Sequence, residues 1–164
     1  MNFDIAFNML LDHEKGLNLD YNDRGNWTSG RVGIGKLNGT KYGISAMSYP
    51  NLDIRNLTIQ QTREIYRRDF WGEADKIPES VRFDFFDAAV NSGYSRSVKW
   101  LQEAVGVVSD GIIGPKTLHA LESMDSQRIA KRFNGFRLFS MTEMGTWSTY
   151  GRGWARRIAK NLME

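Results

Sequence analysis

The sequence of 164 residues contains no cysteine. That absence removes disulfides, thiol nucleophiles and every zinc site that needs sulfur. Histidine is scarce as well: only His13 and His119 occur, too few for a three-histidine metal site. No metal and no cofactor is expected. No apolar run approaches the ~18 residues that a membrane helix needs. The opening Met1-Asn2-Phe3-Asp4 lacks the basic stretch that begins a secretion signal. The expectation is therefore a chain made and held in a cytoplasm, which something else must let out. Proline is limited to Pro50, Pro78 and Pro115, each reading as punctuation, and there is no Pro/Ser-rich linker, repeat or low-complexity tract. With 41% hydrophobic and 25% charged residues, what remains is an ordinary globular chain of one domain, or one domain with a small appendage.

Positive charge is unevenly placed. Net charge is +3, yet residues 126–164 hold eight Lys/Arg against two Asp/Glu, a net of +6. The preceding residues carry a net of −3. Such a basic end suits an anionic polymer or surface. Arg152, Arg156, Arg157 and Lys160, interleaved with Trp154, Ile158 and Leu162, resemble an amphipathic helix lying on an anionic envelope. No recognised nucleic-acid motif accompanies the charge, so nucleic acid is not an expected partner. A monomer is expected.

Periodicity predicts a helix over residues 2–15, with Phe3, Ala6, Met9 or Leu10, and His13 on one face and Gly16 as its stop. Residues 17–45 are rich in Gly and Asn, with β-prone pieces at 31–34 and 41–45. Asn38-Gly39 is a two-residue hairpin signal. A small, irregular antiparallel sheet is expected there. After Pro50 the pattern is helical. Thr58-x-x-Gln61 is a capping box for a helix to about Trp71. Pro78, Gly93, Gly106 and Pro115 bound further helices. Ile129, Phe133, Phe136 and Ser140 mark a longer helix, and Trp154, Ile158 and Leu162 the last. Phe85, Phe86, Phe133, Phe136 and Phe139 are expected in the core. The fold class is thus α+β, mainly α: an N-terminal helix, a small sheet, then a helical bundle.

Two carboxylates stand out. Glu14 falls in the last turn of the first predicted helix, where the helix dipole disfavours negative charge, as would apolar neighbours. Both effects push its pKa upward, toward what a general acid requires. A surface Glu paired with Lys15 or an arginine reads equally well. Nine residues on, Asp23 lies in the polar turn Asp20-Tyr21-Asn22-Asp23-Arg24-Gly25 and is the candidate for the charged partner. A neutral and a charged carboxyl facing one another across a cleft is the arrangement of glycoside hydrolysis. Other partial motifs fail on chemistry. The calcium-like start at Asp20 meets Arg24 and Arg31 where ligands belong. The phosphate-loop-like Gly30-x-x-x-x-Gly35-Lys36 is followed by Leu37 instead of Ser or Thr.

From Glu14 onward the sequence resembles glycoside hydrolase family 108, the bacteriophage endolysins and bacterial muramidases. The resemblance is carried in order by His13-Glu14-Lys15-Gly16, Asp20, Asp23-Arg24-Gly25 and Gly39-Thr40-Lys41-Tyr42-Gly43-Ile44-Ser45. It continues through Tyr49-Pro50-Asn51-Leu52-Asp53-Ile54, Ile65-Tyr66-Arg67-Arg68-Asp69-Phe70-Trp71 and Phe86-Asp87-Ala88-Ala89-Val90-Asn91-Ser92-Gly93. It closes with Leu101-Gln102-Glu103-Ala104-Val105-Gly106 and Asp110-Gly111-Ile112-Ile113-Gly114-Pro115-Lys116-Thr117. Two departures stand against the family pattern: Lys15 replaces the first Gly after the glutamate, and residues 26–38 are extra sequence.

The resemblance implies a lysozyme-like fold and hydrolysis of the β-1,4 bond between N-acetylmuramic acid and N-acetylglucosamine in peptidoglycan. It implies Glu14, Asp23 and Thr40 as catalytic residues, with Thr28 or Ser29 as alternatives to Thr40 on plain spacing. Tyr42 and Asn91 are the expected sugar contacts, Asn91 also being suited to cap a helix. The expected layout is a catalytic lobe at 1–94 and a helical peptidoglycan-binding region at 95–164. As a phage endolysin it would wait in the host cytoplasm, be released by a separate pore protein and lyse the cell. Two other functions stay open: a non-catalytic wall-binding module, which Lys15 leaves available, and a zinc amidase or peptidase of the wall peptide using His13, His119 and an aspartate.

Overall fold

The structure is a computed structural model that describes residues 1–11 and 16–163. The chain forms two compact units, one of residues Phe3–Arg68 and one of Asp69–Glu164 joined by Met1–Asn2.

In the first unit, α1 (Phe3–Leu11) buries Phe3, Ala6, Phe7 and Leu10, the i, i+3, i+4, i+7 stripe of an amphipathic helix. Phe3 and Phe7 stack at 5.6 Å, and Phe7 meets the edge of Tyr66 at 5.5 Å. Tyr66 closes α2 (Ile59–Tyr66), whose start is fixed by Thr58 and Gln61 in a reciprocal capping box. The Arg63 guanidinium pairs with Asp4, tying α2 to the first turn of α1.

Between these helices lies the expected antiparallel sheet, of three two-residue strands in the order β1 (Leu17–Asn18), β2 (Thr40–Lys41), β3 (Ile44–Ser45). Asn18 faces Thr40, which in turn faces Ser45. The hairpin turn falls at Tyr42-Gly43, with φ of 50° and 74°, and not at Asn38-Gly39. Gly39 has another task. Its amide and that of Asn38 both donate to the Asn26 carbonyl. A Cβ on Gly39 would stand 2.5 Å from the Asn18 carbonyl oxygen. The glycine thus lets β1 approach β2. Residues 31–34 form no strand either, because left-handed Gly30, Gly33 and Gly35 break any extended run and Ile34 turns back onto Arg31.

α2 runs on through a π-helical turn, Arg67–Trp71, within which the boundary between the units falls. The second unit holds α3 (Glu79–Ser92), α4 (Tyr94–Val105), α5 (Pro115–Ser123), α6 (Ser126–Thr142) and α7 (Trp147–Asn161). The N-terminal amine of Met1 pairs with Glu79 on α3. Glycine and proline set the helix ends as expected: Pro78 precedes α3, Gly93 (φ 94°) follows it, left-handed Gly106 ends α4 and Pro115 opens α5. Helices α3, α4 and α6 pack on one another, α7 lies on α6 and α5 on α4. Phe85, Phe86, Val98, Leu101, Ile129 and Phe133 fill the space between them. Trp71 meets Phe86 edge-on at 5.3 Å.

Phe139 departs from expectation, being 68% exposed. The buried stripe of α6 runs through Ile129, Phe133, Arg137 and Met141 at four-residue steps, so Phe139 falls outside it. The stripe position after Phe133 is taken by Arg137, which is fully buried. Arg137 donates to Asp87 Oδ2 at 2.8 Å, Arg157 to Oδ1 at 2.7 Å, and Asn161 to Oδ2 at 3.1 Å. One turn earlier on α3, Asp84 accepts from Asn134 at 2.8 Å, and burial raises its pKa. No described helix is long and apolar enough to cross a membrane.

Candidate active site

The candidate site in the first unit is built by residues 17–47, and the residue at its centre is Asn26. This side chain is wholly buried. A buried amide needs hydrogen-bond partners, and Asn26 finds them, through its side chain and its backbone carbonyl, in three different stretches of chain. Its Nδ2 donates to the Asp20 carbonyl at 3.0 Å. Its Oδ1 accepts from Thr40 Oγ1 at 2.7 Å. Its own carbonyl accepts from Asn38 N at 3.1 Å and Gly39 N at 3.0 Å. One residue therefore pins the polar turn at 20–23, the strand carrying Thr40 and the return of the loop that precedes that strand.

Asp23 is held by the same segment. It caps a short 3-10 helix, Arg24–Asn26, its Oδ1 accepting from Gly25 N at 2.8 Å. A Cβ on Gly25 would approach that carboxylate oxygen to 3.1 Å, so glycine leaves the carboxylate its place. Asp23 is exposed, and among the described residues its Oδ2 has no partner. Because Asn26 ends the helix that Asp23 begins, and bonds Thr40, the two candidates share one support. The Thr40 hydroxyl spends its hydrogen on Asn26 and keeps its lone pairs for an incoming donor. Tyr42, in the left-handed turn, is fixed by its carbonyl, which accepts from Tyr66 Oη at 2.8 Å. Lys41 Nζ lies 5.3 Å from the Tyr42 ring centroid.

The extra residues form a loop closed on itself. Trp27 bridges Leu37, and Thr28 N donates to the Lys36 carbonyl at 3.0 Å. Thr28 Oγ1 accepts from Lys36 N at 3.0 Å, and Ser29 Oγ donates to the Ile34 carbonyl at 2.6 Å. Both hydroxyls are thus engaged inside the loop. Tyr21 closes against Trp27 edge-on at 5.0 Å, and Trp27 Nε1 donates to the Tyr21 carbonyl at 2.8 Å.

Glu14 and His13 lie outside the described residues. Asn91 is exposed near the end of α3 in the second unit, where its Oδ1 accepts from Ser92 Oγ at 3.2 Å. The end of that helix is closed by Gly93 N donating to the Ala89 carbonyl at 2.8 Å. Asn26 went unnoticed in the sequence. Its only signal was its place between two Asp-rich and Gly-rich turns, where asparagine is common for simpler reasons.

Residues 7–93 match the glycosyl hydrolase 108 family, and residues 96–159 match a second family described as a predicted peptidoglycan domain. The chain belongs to the glycosyl hydrolase 108 family. It is thereby a glycoside hydrolase of the kind that acts on peptidoglycan, with a peptidoglycan domain following the hydrolase part. Among solved structures it is similar to SagA of Brucella abortus, at 31% identity and a TM-score of 0.83, over 97% of this chain and 90% of that one. No curated protein matches it.

Proposed function

We propose that the protein is a muramidase of the endolysin kind, hydrolysing the β-1,4 bond between N-acetylmuramic acid and N-acetylglucosamine. The observation that carries this reading is that Asn26 accepts from Thr40 Oγ1 through its side chain and donates its backbone N–H to the Asp23 carbonyl, within a glycosyl hydrolase 108 match. Glu14 gives its proton to the leaving glycosidic oxygen. Asp23 stabilises the positive charge that develops at the anomeric carbon, or activates the water. Thr40, its hydrogen already committed, accepts a hydrogen from that water and so turns the water's lone pair toward the sugar. The engagement of Thr28 and Ser29 inside their own loop supports Thr40 over either of them. Tyr42 and Asn91 contact the sugars.

Residues 1–94 act as the catalytic lobe and 95–164 as the wall-binding region. The chain works as a monomer. It waits in the host cytoplasm until a pore protein releases it, and cell lysis follows. Arg157 is spent on Asp87, but Arg152, Arg156 and Lys160 are exposed and touch the anionic envelope.

Replacing Glu14 tests the mechanism. Glu14→Gln should keep the fold by circular dichroism and lose at least about 100-fold in turnover on purified sacculi, the size of a general-acid contribution. A Glu14→Gln chain as active as the parent would remove Glu14 from the reaction. A folded parent chain that binds sacculi and cuts nothing would favour the non-catalytic alternative.

A further inference from the structure

Gln102 of α4 is buried, and its amide holds the loop after α4. Nε2 donates to Asp110 Oδ1 at 2.7 Å and to the Ile112 carbonyl at 2.9 Å, while Oε1 accepts from Gly111 N at 2.9 Å. The first of these bonds lowers the pKa of Asp110. Gly111 needs its left-handed φ of 83°, and a Cβ there would stand 2.8 Å from Ser95 Oγ and 3.4 Å from Lys99 Cε. The loop of residues 110–112 is therefore rigid and pressed against α4.

That loop borders two clefts, Gly111 abutting Ser95 and Lys99 of one, and Asp110 and Ile112 lining the other. One, of about 420 Å³, is lined by Ser92, Ser95, Arg96 and Lys99. The other, of about 530 Å³, is lined by Val108, Ile112, Pro115 and Lys116 among others, and includes Asp110. Arg96, Lys99 and Lys116 are exposed, and among the described residues their charged groups have no partner. Val108 and Ile112 are 81% and 69% exposed although the loop that carries them is pinned. A fixed loop thus holds two large apolar side chains in water beside three cations, a surface able to meet a partner that is both apolar and anionic.

The partner's chemistry can be read from the lining. It must offer carboxylates at intervals, to meet the cations, and small apolar groups between them, to meet Val108 and Ile112. N-acetylated sugars offer acetyl methyls but no row of free carboxylates. The stem peptide of peptidoglycan offers both: alanine methyls, and free carboxylates on its γ-linked glutamate, its diamino acid and its C-terminus. We propose that these two clefts bind the stem peptide, with the 110–112 loop lying between its anionic segments. This rests on the peptidoglycan reading and narrows it, making this face of the second unit a reader of peptide.

The test uses the whole wild-type chain and two probes: isolated tetrapeptide stem and peptide-free chitotetraose. Amide shifts on titration report where each binds, and reducing-end release from intact sacculi is measured on the same preparation. The tetrapeptide should shift residues 93–99 and 108–116, and chitotetraose should not. A chain carrying R96Q and K99Q, both surface changes, should bind the tetrapeptide at least about tenfold more weakly, as expected when charge-assisted bonds are lost. Tetrapeptide shifts elsewhere or nowhere, or an unchanged affinity in the double variant, would overturn the proposal. If reducing ends still appear in that case, the hydrolase reading survives; if they do not, that reading fails as well.

Discussion

The two units hold their polar residues by opposite means. In the first, Thr40 is placed by a short bond to the buried amide of Asn26, Asp23 by the Gly25 N–H within the short helix that Asn26 ends, and glycines at 25 and 39 allow close approach. Its strands are two residues long, too short to place anything unaided. In the second, an aromatic and aliphatic core orders the helices, and the polar cluster joining α3, α6 and α7 is ionic: one carboxylate, Asp87, shared by two arginines and an asparagine. Breaking the first should disturb geometry more than stability. Breaking the second should disturb stability more than geometry, because a guanidinium would be left buried without its counter-charge.

The largest effect is expected at Asp87. Asp87→Ala strands the fully buried Arg137 and should cost about 3–5 kcal/mol in urea unfolding, with turnover per folded molecule unchanged. A loss below about 1 kcal/mol would show that the helical unit does not depend on the cluster. Next comes Asn26→Ala, which removes two buried side-chain hydrogen bonds at roughly 1 kcal/mol each. Its stability loss of about 2 kcal/mol should come with a fall in turnover of tenfold or more at a temperature where the variant is folded. If Asn26→Ala lost stability and kept full turnover, Asn26 would be a mere packing residue and the contrast between the units would fail.

The smallest effect is one of pH. Burial raises the pKa of Asp84, so the folded state holds that proton more tightly than the unfolded chain. Its ionisation therefore subtracts stability as pH climbs above the unfolded value near 3.8 toward the raised one. Asp84→Asn should flatten that decline, narrowing or reversing its deficit against the parent between pH 4 and pH 7. A parallel pair of stability curves would show that Asp84 ionises as readily folded as unfolded.

Much of the helical unit was legible because its signals are local. Pro78, Gly93, Gly106 and Pro115 mark helix ends through backbone chemistry that operates wherever they stand. The capping box at Thr58 and Gln61 is equally self-contained. Arg137 was not legible, since a charged residue enters a core stripe only when a distant carboxylate, here 50 positions earlier, meets it. Phe139 was misread for the complementary reason, the stripe having passed through Arg137 instead. The hairpin went to Tyr42-Gly43 over Asn38-Gly39 because Gly39 was needed for its close approach to Asn18, a demand that no dipeptide signal reveals. Asp23 and Thr40 could be nominated from motif spacing, but their common support at Asn26 is a tertiary fact.

The bond cut is the most direct test. Mass analysis of sacculi digested by the purified chain, with reducing ends and free amines counted together, reports it without reference to any residue. Fragments should end in reducing N-acetylmuramic acid, with no new amines. Fragments ending in reducing N-acetylglucosamine, or free amines released from the peptide, would contradict it.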